Sequence, residues 1–278
     1  MILPVRNAAA TLARAIASVR AQAFADWELI AVDDGSTDGS SETLRQLARA
    51  ESRLVLIEQP PAGVAAAANG AIAAARGVFV ARMDADDEAL PTRLEEQVGF
   101  LAAPENYAVG VVGSLVEFGG DRRVGAGYAL HVDWLNGLLT PEAIALHRFV
   151  EAPLANPSAM FRHELVARHG GYRDGDFPED YELWLRWLDA GVRIAKVPRV
   201  LLRWHDSPGR LTRTDVRYSL DAFFRVKAPW IARELARLAG GRKIFVWGAG
   251  RHTRKRAAHL EDHGVRIAGY VDVDAKKT

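Results

Sequence analysis

Cysteine is absent from the 278 residues, so no disulfide can form, the pattern expected of a chain kept in a reducing cytoplasm. A surplus of one charge sign is also missing: 36 Lys and Arg stand against 35 Asp and Glu, a formal +1. That balance argues against nucleic acid as the main partner, because phosphate backbones are gripped by clustered cations. No apolar run approaches the roughly 20 residues that cross a bilayer, and the opening Met1-Ile2-Leu3-Pro4-Val5-Arg6-Asn7 lacks the layout of a signal peptide. The expected location is cytoplasmic, with peripheral contact at the inner membrane face as a variant of it. What the chain does have is apolar mass, 49% of its residues, enough for one large α/β domain with a small appendage.

The first hundred residues alternate apolar runs with helical patterns. Residues 2–5, 27–32, 54–58 and 78–83 read as strands. Leu12, Ile16 and Val19 recur at helical spacing behind a capping Thr11, residues 41–51 form a second helix, and an Ala-rich stretch to Arg76 a third. Pro91 opens a further helix in the first-turn position that proline tolerates. Strands separated by helices of this length make βαβ units and a parallel sheet. Two acid clusters, Asp33-Asp34 and Asp84-Ala85-Asp86-Asp87, then follow the carboxyl ends of strands on one sheet edge, where open α/β sheets bind ligands.

Beyond residue 100 the pattern is mixed. Residues 109–118 are extended, 119–127 a polar Gly-rich loop, 141–149 a helix, 157–161 a strand, and 162–169 a helix closed by Gly170-Gly171. Glu179-Asp180 lead a helix carrying Leu183, Trp184, Trp187 and Leu188, whose tryptophans at helical spacing read as core rather than sugar platforms. Residues 193–197 and 200–204 look like two strands. This half is expected to cover the open edge of the first and to supply an acceptor-facing wall. A helical stretch over 215–238 precedes Gly240-Gly241, after which 243–247, Gly248-Ala249-Gly250, a basic helix and 267–271 make one βαβ unit of about 38 residues. That is too small for a domain, so the chain is expected to stop inside a longer protein. Its glycines resemble a dinucleotide fingerprint lacking the third Gly, with Asp272 where a ribose-binding acid would stand, but one such unit is not expected to bind a cofactor. Arg251, Arg254, Lys255 and Arg256 read as a solvated helix face, or more sharply as a contact with anionic membrane or phosphate.

The acid clusters carry the chemistry. A nucleotide diphosphate leaving with its charge needs a divalent cation, and Mg²⁺ or Mn²⁺ takes a few carboxylates while keeping positions open for phosphate oxygens. Two acids around a small residue just past a strand end can place one carboxylate on the metal and the other on the donor ribose or on water. The plain alternative is a capping cluster ahead of the next helix. Likewise the acids of Asp33-Asp34-Gly35-Ser36 can accept from a base N–H or a ribose hydroxyl while Gly35 lets the chain turn close to a ligand; the alternative is an Asp-Gly turn with a capping Ser.

Pro4-Val5-Arg6-Asn7, Val32-Asp33-Asp34-Gly35-Ser36-Thr37-Asp38, Met83-Asp84-Ala85-Asp86-Asp87 and Glu179-Asp180 occur in the order and spacing of the family 2 inverting glycosyltransferases, which residues 1–225 resemble. The resemblance implies the GT-A fold: an α/β domain with a mixed, mainly parallel nucleotide-binding sheet flanked by helices. Here 1–100 would be the nucleotide-binding half, 101–225 the acceptor half, 226–240 a helical linker and 241–278 a partial Rossmann-like βαβ segment. It implies transfer of a sugar from a nucleotide-diphosphate donor, first of all a UDP-sugar, to a carbohydrate or lipid-linked acceptor in cell-surface polysaccharide biosynthesis, assisted by Mn²⁺ or Mg²⁺. Pro4, Val5, Asn7 and Asp34 would meet the nucleoside base with Asp33 close by, Asp84 and Ala85 the ribose, and Asp86 with Asp84 the metal. His205, in Arg203-Trp204-His205-Asp206-Ser207, would lie near the donor phosphates and the metal.

Asp180 would be the catalytic base. Single displacement with inversion needs a carboxylate opposite the leaving diphosphate to take the acceptor proton, typically worth about 10²–10⁴-fold in rate. Glu179, or a helix-dipole role for the pair, is the alternative. Residues 156–162, ahead of Gly170-Gly171-Tyr172, would shape the donor-sugar pocket or simply pack. One position departs from the family: Ala68 precedes Asn69 where an Arg is frequent, and Arg82 is the available substitute. A sugar-nucleotide pyrophosphorylase is the rival enzyme, but its Gly-rich Arg/Lys loop after the first strand is replaced here by Arg6-Asn7-Ala8-Ala9-Ala10-Thr11. A non-catalytic sugar-nucleotide-binding module differs from an enzyme only by turnover.

Overall fold

Strands β1 (Ile2–Val5), β2 (Leu29–Asp34) and β3 (Leu54–Gln59) pair in parallel with β2 at the centre. In the computed structural model, which describes residues 1–206 and 210–274, β2 is buried along its whole length, as a parallel strand covered on both faces must be. The cover comes from the crossovers. α1 (Leu12–Arg20) and α2 (Ser40–Ala50) bring Leu12, Ile16, Val19 and Leu44 against Leu3, Leu29 and Ala31. On the other face, α3 (Val64–Ala74) lays Ala65, Ala68 and Ile72 on Ile2, Ile30 and Val32. Odd and even positions of the same strands thus face two different cores, the period of two that a pleated strand imposes.

A parallel bridge from Ile2 to Arg82 sets β4 (Phe79–Ala81) beside β1. From there the sheet continues as β4-β7-β6-β8-β5, made of β5 (Glu88–Ala89), β6 (Val109–Phe118), β7 (Met160–Arg162) and β8 (Arg193–Trp204). β6 and β8 are parallel, whereas β4–β7, β6–β7 and β5–β8 are antiparallel, so the second half extends the first as a mixed sheet. Around it lie α4 (Arg93–Ala102), α5 (Ala126–Asn136), α6 (Pro141–His147), α7 (Glu164–His169) and α8 (Glu179–Asp189). Trp184 and Trp187 are fully buried and pack edge to face 5.9 Å apart, core residues as their spacing suggested. After α9 (Leu211–Thr214), α10 (Leu220–Ala239) packs Val226 on Tyr181 and Leu185 of α8. β9 (Ile244–Trp247), α11 (Arg251–Glu261) and β10 (Ile267–Val271) form one parallel βαβ unit. There Asp272 accepts the Ala249 N–H at 2.8 Å, so the expected ribose acid braces its own glycine loop.

Several local expectations change. Thr11 offers α1 no side-chain cap; its hydroxyl donates to the Ala8 carbonyl. Pro91 precedes α4, which begins at Arg93 behind Thr92. Residues 156–158 are a 3₁₀ turn, and the strand starts only at Met160. The two strands expected at 193–204 are one: Val197 pairs with Ser114 and Val200 with Leu115, so Pro198 and Arg199 bulge out without ending the pairing. Ser207 of the His205 motif and residues 275–278 of the expected tail segment lie outside the described residues. Among the described residues no helix is long and apolar enough to cross a membrane.

Candidate functional site

The loops that follow β1 and β2 are stitched together. Asn7 donates its backbone N–H to Ser36 Oγ at 3.0 Å and accepts the Thr37 N–H at 2.8 Å; Ala8 and Ala9 donate to Ser40 Oγ and Asp38. Asn7 holds φ at 51°, the one non-glycine residue in left-handed backbone among the described residues, a conformation asparagine tolerates and working loops concentrate. Val5 pairs with Asp33 and is buried, with Pro4 half-buried beside it. Asp33 accepts from the Ser36 N–H and the Ser41 hydroxyl, which fixes the turn.

Asp34 is saturated. Its oxygens accept from Gln59 Nε2 (2.7 Å), Ala62 N–H (2.7 Å), Gly63 N–H (2.9 Å) and Arg6 Nη1 (3.4 Å), four donors on about four lone-pair sites. It thereby draws the 60–63 turn over Gly35, where any Cβ would stand 2.6 Å from the Pro61 ring.

One strand away, β4 ends in the second cluster. Asp84, Asp86 and Asp87 each offer an oxygen within 4.8 Å of the others. Asp87 is buried; Oδ1 accepts the His205 N–H at 2.8 Å, while Oδ2 is buried without a partner among the described residues. Burial, then repulsion from Asp84 and Asp86, pushes Asp87 well above the usual carboxylate range, and burial with Asp84 raises Asp86. Three hard oxygen donors forced together, one of them unsatisfied, fit a divalent cation. Ala85 is half-buried against the core between them.

The expected ligand His205 stands outside this group. Its Nδ1 faces the Gly119 carbonyl at 3.2 Å and its Nε2 the Glu88 carboxylate at 2.6 Å, so both ring nitrogens are occupied and only its backbone reaches the cluster. Two arginines supply the counter-charge. Arg82, buried at the end of β4, pairs with Asp84 at 2.6 Å. Arg210 donates to Tyr128 Oη at 2.6 Å and to the His205 carbonyl at 3.1 Å, and lies 4.8 Å over the Trp204 ring.

The Glu179-Asp180 pair opens α8, and Arg82 links it electrostatically to the metal-type acids: its charge is felt by Asp84, Tyr172, Glu179 and Asp180. Asp180 accepts the Tyr181 N–H at 2.7 Å and is pushed up to about 8, by burial first and by Glu179 second. Glu179 is buried and accepts the Tyr218 hydroxyl at 2.5 Å. Nearby, Asn69 clamps Tyr172, its amide donating to the Tyr172 carbonyl at 2.8 Å and accepting the Tyr172 N–H at 2.9 Å; Tyr172 in turn donates to Asn156. Ala68 is buried, and Arg82 provides the cation near the acids. Asp87, Arg210 and Tyr218 were not anticipated as site residues. Asp87 was visible as the third acid of the Asp84-Ala85-Asp86-Asp87 run, whereas nothing local marked the other two. A cavity of about 520 Å³ lined by Met1, Asp26, Trp27, Glu28, Arg76 and Met160 lies at the opposite, amino-terminal ends of the strands, where Glu28 is paired with Arg76.

The model of Glycosyl transferase family 2 matches residues 1–170. EpsE of Bacillus subtilis (strain 168), itself provisionally named a glycosyltransferase, is 32% identical over 228 residues, 80% of this chain and 77% of that protein. Among solved structures, S. aureus TarS 1-349 in complex with UDP-GlcNAc is similar with a TM-score of 0.63 at 18% identity, over 94% of this chain and 70% of that one. The mannosyltransferase PcManGT from Pyrobaculum calidifontis, in complex with GDP-Man and Mn²⁺, is similar with a TM-score of 0.59 at 23% identity, over 96% and 69%. At these identities the structural likeness speaks to the fold alone.

Proposed function

The chain belongs to glycosyl transferase family 2 and has the GT-A fold, and from that premise we propose that it transfers a sugar from a nucleoside diphosphate, UDP first among them, to an acceptor hydroxyl with inversion. The observation that carries the cation-assisted form of this reading is Asp87 Oδ2, buried beside Asp84 and Asp86 without a partner among the described residues. Those three residues would hold Mn²⁺ or Mg²⁺, which when bound neutralises the charge that gathers on the departing diphosphate. His205 joins them only by releasing Glu88.

In the transfer, the acceptor oxygen attacks the anomeric carbon. The bond from that carbon to the diphosphate oxygen breaks, its electron pair leaves with the phosphate, and the acceptor proton passes to Asp180. A carboxyl pushed up to about 8 is a far stronger base than a free aspartate and sits near the working pH that favours general bases. Pro4, Val5, Asn7, Asp33, Asp34 and Ala85 would frame the nucleoside. A base N–H would reach Asp34 by replacing its longest contact, the half-exposed Arg6. Residues 101–225 would face a carbohydrate or lipid-linked acceptor.

The test is calorimetric titration of UDP and GDP with Mn²⁺ and again with EDTA, on the wild type and on Asp86→Ala. Tighter binding with Mn²⁺, lost in the variant, supports the reading. Equal affinity in both conditions removes the cation, and a preference for GDP reassigns the base. Release of UDP from a UDP-sugar then separates an enzyme from a silent binding module.

A further inference from the structure

Glu179 and Asp180 are adjacent acids at one helix start, and their surroundings differ. Glu179 is reached by Tyr218, whose 3₁₀ turn Val216–Tyr218 precedes α10; the phenol Oη lies 2.5 Å from Glu179 Oε2. The turn is held in place: Arg217 binds Asp215 at 2.7 Å and Asp174 at 3.4 Å, and Ser219 caps α10. Among the described residues, Asp180 accepts only the Tyr181 N–H of its own turn. We propose that Tyr218 is a positioning residue for the transfer step: its hydroxyl fixes the negative charge on Glu179 and so leaves Asp180 as the member of the pair that holds and takes protons. The inference rests on the reading of Asp180 as the base.

The physical grounds are two. Neighbouring carboxyls out of water do not both ionise readily, so whichever has the better donor takes the charge first. Tyr218 is that donor, and it gives up no proton of its own, since burial and the charges of Glu179 and Asp180 drive the phenol far above its ordinary range. The groups facing Glu179 are Tyr218, Arg82, Arg217, Asp84, Tyr172 and the adjoining Asp180; those facing Asp180 are Glu179, Arg82, Asp84 and Glu151, with Tyr172 and Tyr218 beside it. Arg82 acts on both acids, so it cannot divide them; Arg217, in the turn that carries Tyr218, adds its charge on the Glu179 side, and the tyrosine hydroxyl bonds Glu179 directly. The charge on Glu179 then makes Asp180 the stronger base.

The experiment is a carbon-13 NMR titration of the side-chain carboxyls in the full chain, with signals identified by their loss in Asp180→Asn and Glu179→Gln. The wild type should titrate Glu179 first and Asp180 near 8. Tyr218→Phe keeps the ring and removes the donor, so the Asp180 midpoint should fall by roughly a unit, the scale of coupling between interacting carboxyls. Glu179→Gln should lower it likewise without touching the tyrosine. An Asp180 midpoint that stays put in Tyr218→Phe overturns the proposal. If that variant does not fold, the wild-type order decides: Asp180 ionising before Glu179 overturns it. Because no donor or acceptor enters this measurement, its outcome is separate from whether Asp180→Asn still transfers sugar.

Discussion

On the proposed reading Asp180 and Glu179 would divide one task by their surroundings, and that division is open to kinetic test. Asp180→Asn keeps shape and hydrogen bonding but takes no proton, so it should cut turnover by about 10²–10⁴-fold while nucleotide affinity changes little. Glu179→Gln should cost less, because in this proposal its carboxylate tunes the base without receiving the proton. Steady-state transfer, or UDP-sugar hydrolysis where the acceptor is not in hand, measures both. Full activity of Asp180→Asn with a dead Glu179→Gln would reverse the two roles. These acids were legible in the sequence because they form contiguous motifs. Tyr218 and Arg210 were not, since the Tyr218–Glu179 contact spans 39 residues and Arg210 reaches Tyr128 across 82. Contacts of that range leave no periodic trace. The ring of His205 went elsewhere than expected for a similar reason: Glu88 sits 117 positions away, in a two-residue strand that exists only by pairing with β8.

At the scale of elements, the first half could be read nearly whole. Its strands and helices are βαβ units whose apolar periods and turn residues all agree, and the strand bounds are off by only a residue or two. The second half resisted because tertiary pairing overrides local signals there. Pro198 looks like a strand break, but the bulge opposite Ser114 and Leu115 absorbs it. α5 begins at Ala126 behind Gly125 with no side-chain cap, inside a stretch that reads as loop. The tail unit was legible, and its attachment yields a prediction. α11 meets α10 through Arg256 over Phe224 at 4.6 Å and through Lys255 and His259 on Asp221, contacts that include no residue of either acid cluster. Ending the chain after Gly240 should therefore leave UDP affinity within about twofold, as for independent distant changes. A folded truncated protein that no longer binds UDP would make the tail part of the donor site.

Across the whole molecule, two buried charges set opposing pH dependences. Asp180 has a folded-state value near 8 against 3.8 for the free side chain, so the native state holds its proton more tightly than the unfolded chain does. Stability from this group is fully present below about pH 4 and is lost as pH rises through 8. Lys196 on β8 is buried, donates to the Leu135 carbonyl near the carboxyl end of α5 at 2.6 Å, and is driven by burial from 10.5 down to about 7. Its sign is the reverse: the contribution is present above 10.5 and lost as pH falls through 7. Both penalties coincide between 7 and 8, around neutrality where the enzyme would work, which is the usual cost of keeping a strong base in a dry site. Urea unfolding at pH 5, 8 and 10 separates the two. Asp180→Asn should raise the midpoint more at pH 8 than at pH 5. Lys196→Met should gain most at the lower pH values and lose that gain by pH 10, apart from a constant cost for the lost bond to the Leu135 carbonyl, which keeps the Leu138 N–H. If the gain from Asp180→Asn is the same at pH 5 and pH 8, burial is not what sets the base, and the high affinity of Asp180 for its proton must be sought in the bound substrate instead.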